Sequence, residues 1–285
     1  MASFRELLFK YTTDASRFVV VDDVMMHYRD EGVGETIVLI HGAFSSLHTF
    51  NDWAATLQKN YRVIRMDMMG FGLTGPNSTG DYSMPNHVRI LKRFLNILGI
   101  EKCHIGGSSL GGWLAWEFAA LYPRRIDKMM LIGAAGFIDK ENMPLPFKVA
   151  QSRLAGRVLK YVVRKSILEQ FVKQVYYDVS KVNKKLVTRY FDLFTRDGNS
   201  DAFVRLVNAK YQDNTHLLAD IHHKTLVMWG KEDAWVPVEH ALLFHNSLPH
   251  SLLKIYPKVG HLPMEEIPDE SILDVLAFLN DEALS

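Results

Sequence analysis

Short apolar runs alternate with helical segments along much of the chain, and this alternation limits the possible folds more than any other feature. The runs at 36–40 and 225–229 are almost entirely apolar, which is typical of strands in a sheet covered on both faces. Segments 86–98 and 110–121 carry apolar residues at helical spacing. Strands that alternate with helices predict an α/β fold with a mostly parallel sheet and helices on both faces. Eight strands are expected, the first two forming an antiparallel hairpin, at 18–21, 24–28, 36–40, 61–66, 103–105, 129–132, 225–229 and 252–256.

The alternation stops in the middle of the chain, where no strand-like run occurs between 139 and 213. Apolar residues there recur every three or four positions, which predicts three or four helices. Ser180 and Ser200 are expected to be helix N-caps. The expected domains are an α/β core at 1–136 and 216–285 and an inserted helical cap at 137–215.

The charge balance argues against a general nucleic-acid binder. The chain of 285 residues has 33 Lys and Arg against 32 Asp and Glu, whereas such a binder shows a strongly basic field. Segment 139–213 is the exception, with 15 basic against 8 acidic residues. These charges are either the solvated faces of amphipathic helices or a basic lid that favours anionic substrates or an acidic membrane surface.

Targeting features are weak in this chain. The N-terminal apolar run is only three residues long, too short for a signal peptide, and no run approaches the roughly 20 residues of a membrane span. A single cysteine, Cys103, excludes an intramolecular disulfide framework. We therefore expect a cytoplasmic protein, a monomer or homodimer, with no integral membrane segment. Segment 3–10 is expected to be a helix packed on the domain, with a weak membrane anchor as the alternative.

The sequence Gly107-Ser108-Ser109-Leu110-Gly111 carries the strongest chemical signal. It is a G-x-S-x-G motif that directly follows a predicted strand and opens a predicted helix. This context places Ser109 on a strained turn at a helix N-terminus, where developing negative charge is favoured. Small residues are needed at 107 and 111 because a side chain there would clash with the neighbouring strand or helix. Ser109 is therefore the predicted nucleophile.

A serine hydroxyl needs a base, because it is a poor nucleophile at neutral pH. His261 is the best placed of the twelve histidines, since it lies in a loop between the last predicted strand and the last helix. His41 is expected to shape its own loop by hydrogen bonding. His104 lies within a strand and His245 on a helix, so neither is favoured.

The base in turn needs a carboxylate that orients it and stabilises the imidazolium. Asp233 follows the strand at 225–229 and is the predicted partner. Glu232 is adjacent, but its side chain is expected to point elsewhere, and Asp139 is a weaker substitute. The resulting order Ser, Asp, His along the chain is the order of α/β hydrolases.

Two backbone N–H groups are predicted to bind the oxyanion of a tetrahedral intermediate. One belongs to Leu110, directly after the nucleophile, and the other to Ala43, or less favourably Phe44, in the loop after the strand at 36–40. Expected substrate contacts are Phe44, Ser108, Phe147 and Leu262. Other aromatic and aliphatic residues of the insertion either line an apolar acyl pocket or pack the cap on the core, namely Leu154, Phe171, Tyr176, Phe191 and Phe194. Trp113 and Trp116 are expected to lie in the core.

With these motifs in place, the chain resembles the α/β-hydrolase fold superfamily, and within it the lid-bearing bacterial esterases, lipases, C–C bond hydrolases and cofactor-free haloperoxidases. The resemblance covers about 18–280 and rests on five segments: HGAF at 41–44, DMMGFGLTG at 67–75, GGSSLGG at 106–112, GKEDAWVP at 230–237 and VGHLPMEE at 259–266. It implies a structural role for Asp67, which turns the chain beside the pocket.

Departures from the neighbouring families narrow the activity that the resemblance implies. Epoxide hydrolases and haloalkane dehalogenases of this fold use an aspartate nucleophile, where this chain has Ser109. C–C hydrolases usually carry a glycine-rich run after His-Gly and a tryptophan after the histidine base. This chain has Ala43-Phe44 and Leu262 at those places.

The expected activity is hydrolysis of carboxylic esters with small to medium acyl chains through an acyl-enzyme. No metal and no organic cofactor are expected, and the expected partner is a small-molecule ester. Two alternatives stay open: C–C bond hydrolysis of a dienone ring-cleavage product, and a ligand receptor that keeps the three residues but turns over little. Fold alone does not decide among them.

Overall fold

The computed structural model describes residues 2–137, 143–152 and 163–284, and its centre is one sheet of eight strands. The strand order is β1-β2-β4-β3-β5-β6-β7-β8. Pairing is antiparallel between β1 and β2 and between β2 and β4, and parallel elsewhere. The mostly parallel eight-stranded sheet is therefore confirmed. The strands are β1 (Ser16–Val21), β2 (Val24–Glu31), β3 (Thr36–Ile40), β4 (Arg62–Met66), β5 (Cys103–Ser108), β6 (Ile126–Ile132), β7 (Lys224–Gly230) and β8 (Ser251–Tyr256).

Helices cover the sheet and form the segment between β6 and β7. The α-helices in the described residues are α1 (Phe4–Tyr11), α2 (Asn51–Leu57), α3 (Met84–Ile97), α4 (Leu110–Leu121), α5 (Leu145–Gln151), α6 (Lys165–Gln174), α7 (Lys184–Phe194), α8 (Asn199–Val207), α9 (Glu239–Ser247), α10 (Pro263–Glu266) and α11 (Pro268–Leu279). Short 3₁₀ turns lie at Leu47–Phe50, Pro123–Arg125, Val179–Lys181 and Thr215–Asp220. The predicted bounds of α4 are confirmed.

Several other predicted bounds were too short. β5 continues past residue 105 through two glycines to Ser108, and every residue of it is buried. Sequence patterns miss this end because glycine carries no apolar side chain. The last helix, which the sequence predicts at 271–279, begins three residues earlier, at Pro268.

The predicted helical segment has its helices but not the predicted N-caps. Ser180 lies inside a 3₁₀ turn that begins after Asp178, and Ser200 lies within the first turn of α8. Asn183 is the N-cap of α7, where its side chain accepts the N–H of Leu186. Leu154, and also Asp139, the weaker candidate acid, lie outside the described residues.

The N-terminal helix packs on the rest of the domain. Ser3 and Glu6 form a capping box at its start, which satisfies two backbone N–H groups. Its Leu7 is fully buried, and the hydroxyl of Tyr11 donates to Asp192 on α7 at 2.8 Å. Among the described residues, none of the helices has the length and apolar character needed to cross a bilayer.

A buried carboxylate organises the loops at the carboxyl end of β3 and β4. Asp67 contacts His27 Nδ1 at 2.7 Å and accepts the N–H groups of Leu47 and Leu73, each at 2.7 Å. Burial acts to raise the pKa of Asp67, but the neighbouring His27 and His41 outweigh it and hold the pKa well below its usual range. The structural role implied for Asp67 agrees with these contacts.

Buried histidines make the stability of this fold sensitive to acid. Burial lowers the pKa of His48 to about 3 and that of His87 to about 4. In the unfolded chain a histidine titrates near about 6.5, so below that pH the unfolded state binds protons that the folded state does not. Folding stability therefore falls as pH falls from about 6.5 towards 4.

We predict that the free energy of unfolding falls over this window by up to about 1.4 kcal/mol per pH unit for each such histidine. Urea unfolding at a series of pH values measures the slope. His87→Leu is expected to make the slope shallower, whereas the matched change at the exposed His216 leaves it unchanged. An unchanged slope in His87→Leu would show that His87 does not titrate as proposed.

Candidate active site

Ser109 occupies a strained turn between β5 and α4. Its backbone has φ 53° and ψ −117°, a conformation that non-glycine residues rarely adopt. The N–H of Ser109 donates to the carbonyl of Ile132 at 2.9 Å, and its own carbonyl accepts the N–H of Trp113 and of Ala135. These bonds hold the strained residue between two neighbouring strands and the helix.

Glycines make this turn possible. A Cβ on Gly107 would lie 2.1 Å from the carbonyl oxygen of Gly111, and a Cβ on Gly111 would lie 2.2 Å from that of Ile40. Backbone atoms cannot move aside as side-chain ends can. The requirement for small residues at both positions is confirmed.

His261 and Asp233 are in direct contact. His261 Nδ1 lies 2.6 Å from Asp233 Oδ2, and both side chains are almost completely buried. The other carboxylate oxygen accepts the N–H groups of Trp235 and Val236 at 2.8 and 2.9 Å. Asp233 is thereby fixed in one orientation, which in turn leaves His261 Nε2 as the outward ring nitrogen.

The sheet brings the histidine to the serine. Gly133 follows the residue that bonds Ser109, and a Cβ on it would lie 3.0 Å from His261 Nδ1, so the ring packs on backbone directly beside Ser109. His261 Nε2 is buried and has no hydrogen-bond partner in the described residues. It is thus available to accept a proton, and catalytic hydrogen bonds often tighten only when substrate is bound.

The predicted oxyanion donors flank the serine. Leu110 is the first residue of α4, so its N–H has no carbonyl partner within the helix. On the other side, a Cβ on Gly42 would lie 2.9 Å from Ser109 Cβ, so the loop that carries Ala43 runs against the serine. Phe44 closes that loop with a positive φ of 63°. Assigning the oxyanion to Leu110 and Ala43 remains a prediction.

The competing side chains have other partners. His41 Nδ1 lies 2.7 Å from the Gly42 carbonyl, and its Nε2 accepts the N–H of Met68, so His41 shapes its loop as expected. Glu232 accepts the N–H of Val259 and points away from His261, also as expected. His245 lies on α9 against Ser251.

The cap is tied to the core beside His261. Glu266 accepts the N–H of Gly260 at 2.8 Å and that of Asp178 at 2.7 Å. Its neighbour Glu265 accepts the hydroxyl of Tyr176 at 2.6 Å and pairs with Arg189 at 3.0 Å. The loop that holds the histidine is therefore also the loop that anchors the cap.

A cavity of about 480 Å³ opens from Ser109 between the core and the cap helices. Its described wall is mainly apolar. The lining residues include Ser109, Leu110, Trp113, Glu117, Phe147 and Trp235.

Of the four predicted substrate contacts, only Phe147 lines this cavity. Ser108 is fully buried in β5, and Leu262 is buried in the core. Phe44 packs into an aromatic cluster with Phe203, with ring centres 4.3 Å apart. These three contacts are therefore not made in this cavity, because backbone direction turns each side chain into the interior.

Other residues of the cavity were missed or misplaced. Trp113 was expected in the core but lines the cavity, whereas Trp116 is buried and donates to the Ala135 carbonyl. The cap aromatics Phe171, Tyr176, Phe191 and Phe194 do not line it and instead pack on the core cluster. Trp235 was not predicted at all: its ring lies 6.0 Å from that of His261, and its buried indole N–H has no partner in the described residues. Its place two residues after Asp233 was the available signal.

The comparisons with known proteins agree with this fold. Residues 35–268 match the family model described as alpha/beta hydrolase fold. The chain belongs to this family, and it is a hydrolase.

The relatives carry more specific names. A 2-hydroxy-6-oxononadienedioate/2-hydroxy-6-oxononatrienedioate hydrolase of Paraburkholderia phymatum is 32% identical over 252 residues, 84% of this chain and 85% of the relative. A meta-cleavage product hydrolase from Pseudomonas fluorescens superposes with a TM-score of 0.82 at 26% identity, over 93% of this chain and 97% of the other. A putative lipase from Acinetobacter baumannii gives a TM-score of 0.80 at 26% identity, over 99% and 97%.

Two adjacent glycines of β5 allow a test of the turn. A Cβ on Gly107 would meet backbone, whereas a Cβ on Gly106 would meet only the ends of the Leu39 and Met130 side chains. We predict that Gly107→Ala costs about 1–3 kcal/mol or more of stability and distorts the turn at Ser109, while Gly106→Ala is milder. Thermal unfolding and labelling of Ser109 by a fluorophosphonate measure the two effects. Equal behaviour of the two variants would contradict the close-approach argument.

Proposed function

We propose that the protein is a serine hydrolase that cleaves uncharged carboxylic esters through an acyl-enzyme. His261 Nε2 takes the proton of the Ser109 hydroxyl as its oxygen attacks the ester carbonyl, and the N–H groups of Leu110 and Ala43 bind the oxyanion. The carbon–oxygen bond then breaks as His261 returns the proton to the leaving alcohol. Water, deprotonated by His261, hydrolyses the acyl-enzyme and restores Ser109.

Asp233 supports both halves of this cycle. Its 2.6 Å contact with Nδ1 keeps the proton on that nitrogen and leaves Nε2 as the base. When His261 becomes an imidazolium, the neighbouring carboxylate offsets its charge in a site where water is largely excluded. The contact between His261 and Asp233 is the observation that carries the proposal.

The cavity favours uncharged substrates. Lys210 is the one lysine or arginine among its described lining residues, and it is exposed. The lining carboxyl is Glu117, which is 2% exposed. A substrate with carboxylate groups would lose hydration in this cavity, and the described lining residues include no buried lysine or arginine to replace it. Esters with apolar chains meet no such cost.

C–C bond hydrolysis is the second candidate, and the relatives' names favour it over ester hydrolysis. Those named relatives act on 2-hydroxy-6-oxo dienoates, and one of them shares 32% identity over most of both chains. The same serine, histidine and oxyanion donors would serve such a ketone substrate. The lack of a buried lining cation in the described wall weighs against the dicarboxylate forms in their names.

We predict that Ser109→Ala and Asp233→Asn each lower kcat/KM for a p-nitrophenyl ester by about 10³-fold or more. The loss follows from removing the nucleophile in one variant and the histidine's orienting anion in the other. Ser108→Ala and Glu232→Gln are the neighbouring controls and keep most activity, because Ser108 does not line the cavity and Glu232 bonds Val259. Equal loss in a control and its partner would contradict the assignment.

The bond that is cleaved is tested by comparing kcat/KM for a short and medium p-nitrophenyl ester series with that for a 2-hydroxy-6-oxo dienoate. We expect the esters to be the better substrates. A larger value for the dienoate would replace the ester proposal by C–C hydrolysis. If neither the esters nor the dienoate is turned over and Ser109 does not react with a fluorophosphonate, the ligand-receptor alternative is favoured.

A further inference from the structure

A row of cavity-lining side chains lies along α4, beyond the turn that carries Ser109. Leu110, Trp113 and Glu117 are spaced three and four residues apart, so they lie on one face of the helix, and all three line the cavity. Glu117 is eight residues after Ser109, which places it roughly 12 Å further along the helix axis. The same cavity therefore contacts both the serine and a carboxyl group two turns further along α4.

Glu117 is held in place rather than loosely packed. Trp113 Nε1 donates to its Oε1 at 2.7 Å, and Asn214 Nδ2 donates to the same oxygen at 3.3 Å. Trp113 is itself fixed against Tyr211, whose ring centre lies 5.5 Å away and whose hydroxyl donates to the Gly136 carbonyl. Both hydrogen bonds from described residues reach Oε1, so Oε2 is the oxygen that a ligand in the cavity would contact.

The role proposed for Ser109 and His261 does not use this group. Burial raises the pKa of Glu117, although its hydrogen bonds from Trp113 and Asn214 act in the opposite direction. A buried carboxyl of this kind leaves one polar oxygen on a mainly apolar wall. Such an oxygen is costly to desolvate unless a ligand offers it a hydrogen bond.

We propose that Glu117 forms a subsite for a hydroxyl group at the end of the substrate chain that extends from the reacting carbonyl. This inference rests on the proposed ester hydrolysis and specifies its substrate as a hydroxyl-terminated ester. A hydroxyl is the end group that fits Glu117 in either protonation state, because it can donate to the carboxylate and accept from the protonated acid. A methyl end leaves Oε2 unpaired, and a carboxylate end is repelled by ionised Glu117.

The test compares three end groups on otherwise identical esters: methyl, hydroxyl and carboxylate. Two homologous series of increasing length are used, one with the end group on the acyl chain of p-nitrophenyl esters and one with it on the alcohol chain of acetates. For the wild type we expect kcat/KM to favour hydroxyl over methyl by about tenfold at one chain length, the size of one hydrogen bond to a buried group. The carboxylate ester is expected to be the poorest. No hydroxyl preference at any length in either series would overturn the proposal.

Two variants separate recognition from a purely structural role. Glu117→Gln keeps an oxygen for Trp113 and Asn214, so it should keep the hydroxyl preference while tolerating the carboxylate end better. Glu117→Leu should lose the hydroxyl preference and favour the methyl end. If Glu117 only holds α4 to the segment around Asn214, Glu117→Leu lowers kcat/KM for all three esters alike and leaves their ratios unchanged. That result would overturn the subsite.

Binding without turnover distinguishes failure of the subsite from failure of the ester proposal. In the Ser109→Ala variant, α,ω-diols are expected to raise Tm more than the 1-alkanols of equal length, and the Glu117→Leu change in that background should remove the difference. Ester turnover without a hydroxyl preference would reject the subsite alone. Diol stabilisation in a protein that hydrolyses no ester would support the subsite and reject the ester reaction.

Discussion

The close approach of backbone at the start of α4 is the constraint on which the rest of the site depends. The Gly111 Cα packs against the carbonyl of Ile40 in β3, and Gly107 against the carbonyl of Gly111. This approach lets the helix begin directly above the sheet and forces Ser109 into its strained conformation. The hydrogen bond from Ser109 to Ile132 and the packing of Gly133 on His261 then fix where the histidine must lie. A looser turn would leave each partner without a defined position.

The loop of His261 couples this rigid turn to the cap. Glu266 binds Gly260 on one side and the segment at Asp178 on the other, while His261 itself donates its N–H to the Val175 carbonyl at 2.8 Å. The position of the histidine is thus set partly by cap residues at Val175 and Asp178. A change in the cap can therefore alter the geometry of His261 without touching Ser109.

The sequence predicted the sheet, and it named the residues that the structure brings together beside Ser109, because both depend on local signals. Continuous apolar runs mark the parallel strands, and a G-x-S-x-G motif between a strand and a helix admits few geometries. The cavity wall was not predictable in the same way. Which face of α4 meets the cavity depends on where the cap sits, so Trp113 was placed in the core and Glu117 was overlooked. Ser108 and Leu262 were expected at the substrate through their nearness in sequence, but strand and loop direction turn both inward.

The activity in the relatives' names and the substrate that suits the cavity differ for a related reason: the shared architecture and the cavity wall depend on different residues. The match to the Paraburkholderia phymatum hydrolase spans 84% of this chain, and the strands, the turn and the two loops beside Ser109 belong to the architecture of the shared family. Those parts can serve any reaction that passes through a tetrahedral oxyanion. Choice of substrate depends instead on a few lining side chains, and the described ones here form a mainly apolar wall that includes Glu117. Under the proposed function, a buried carboxyl in this wall disfavours an anionic substrate, because desolvating an unpaired charge costs more than one apolar contact returns. The side chains that line the cavity, more than overall identity, therefore bear on which substrate this hydrolase binds.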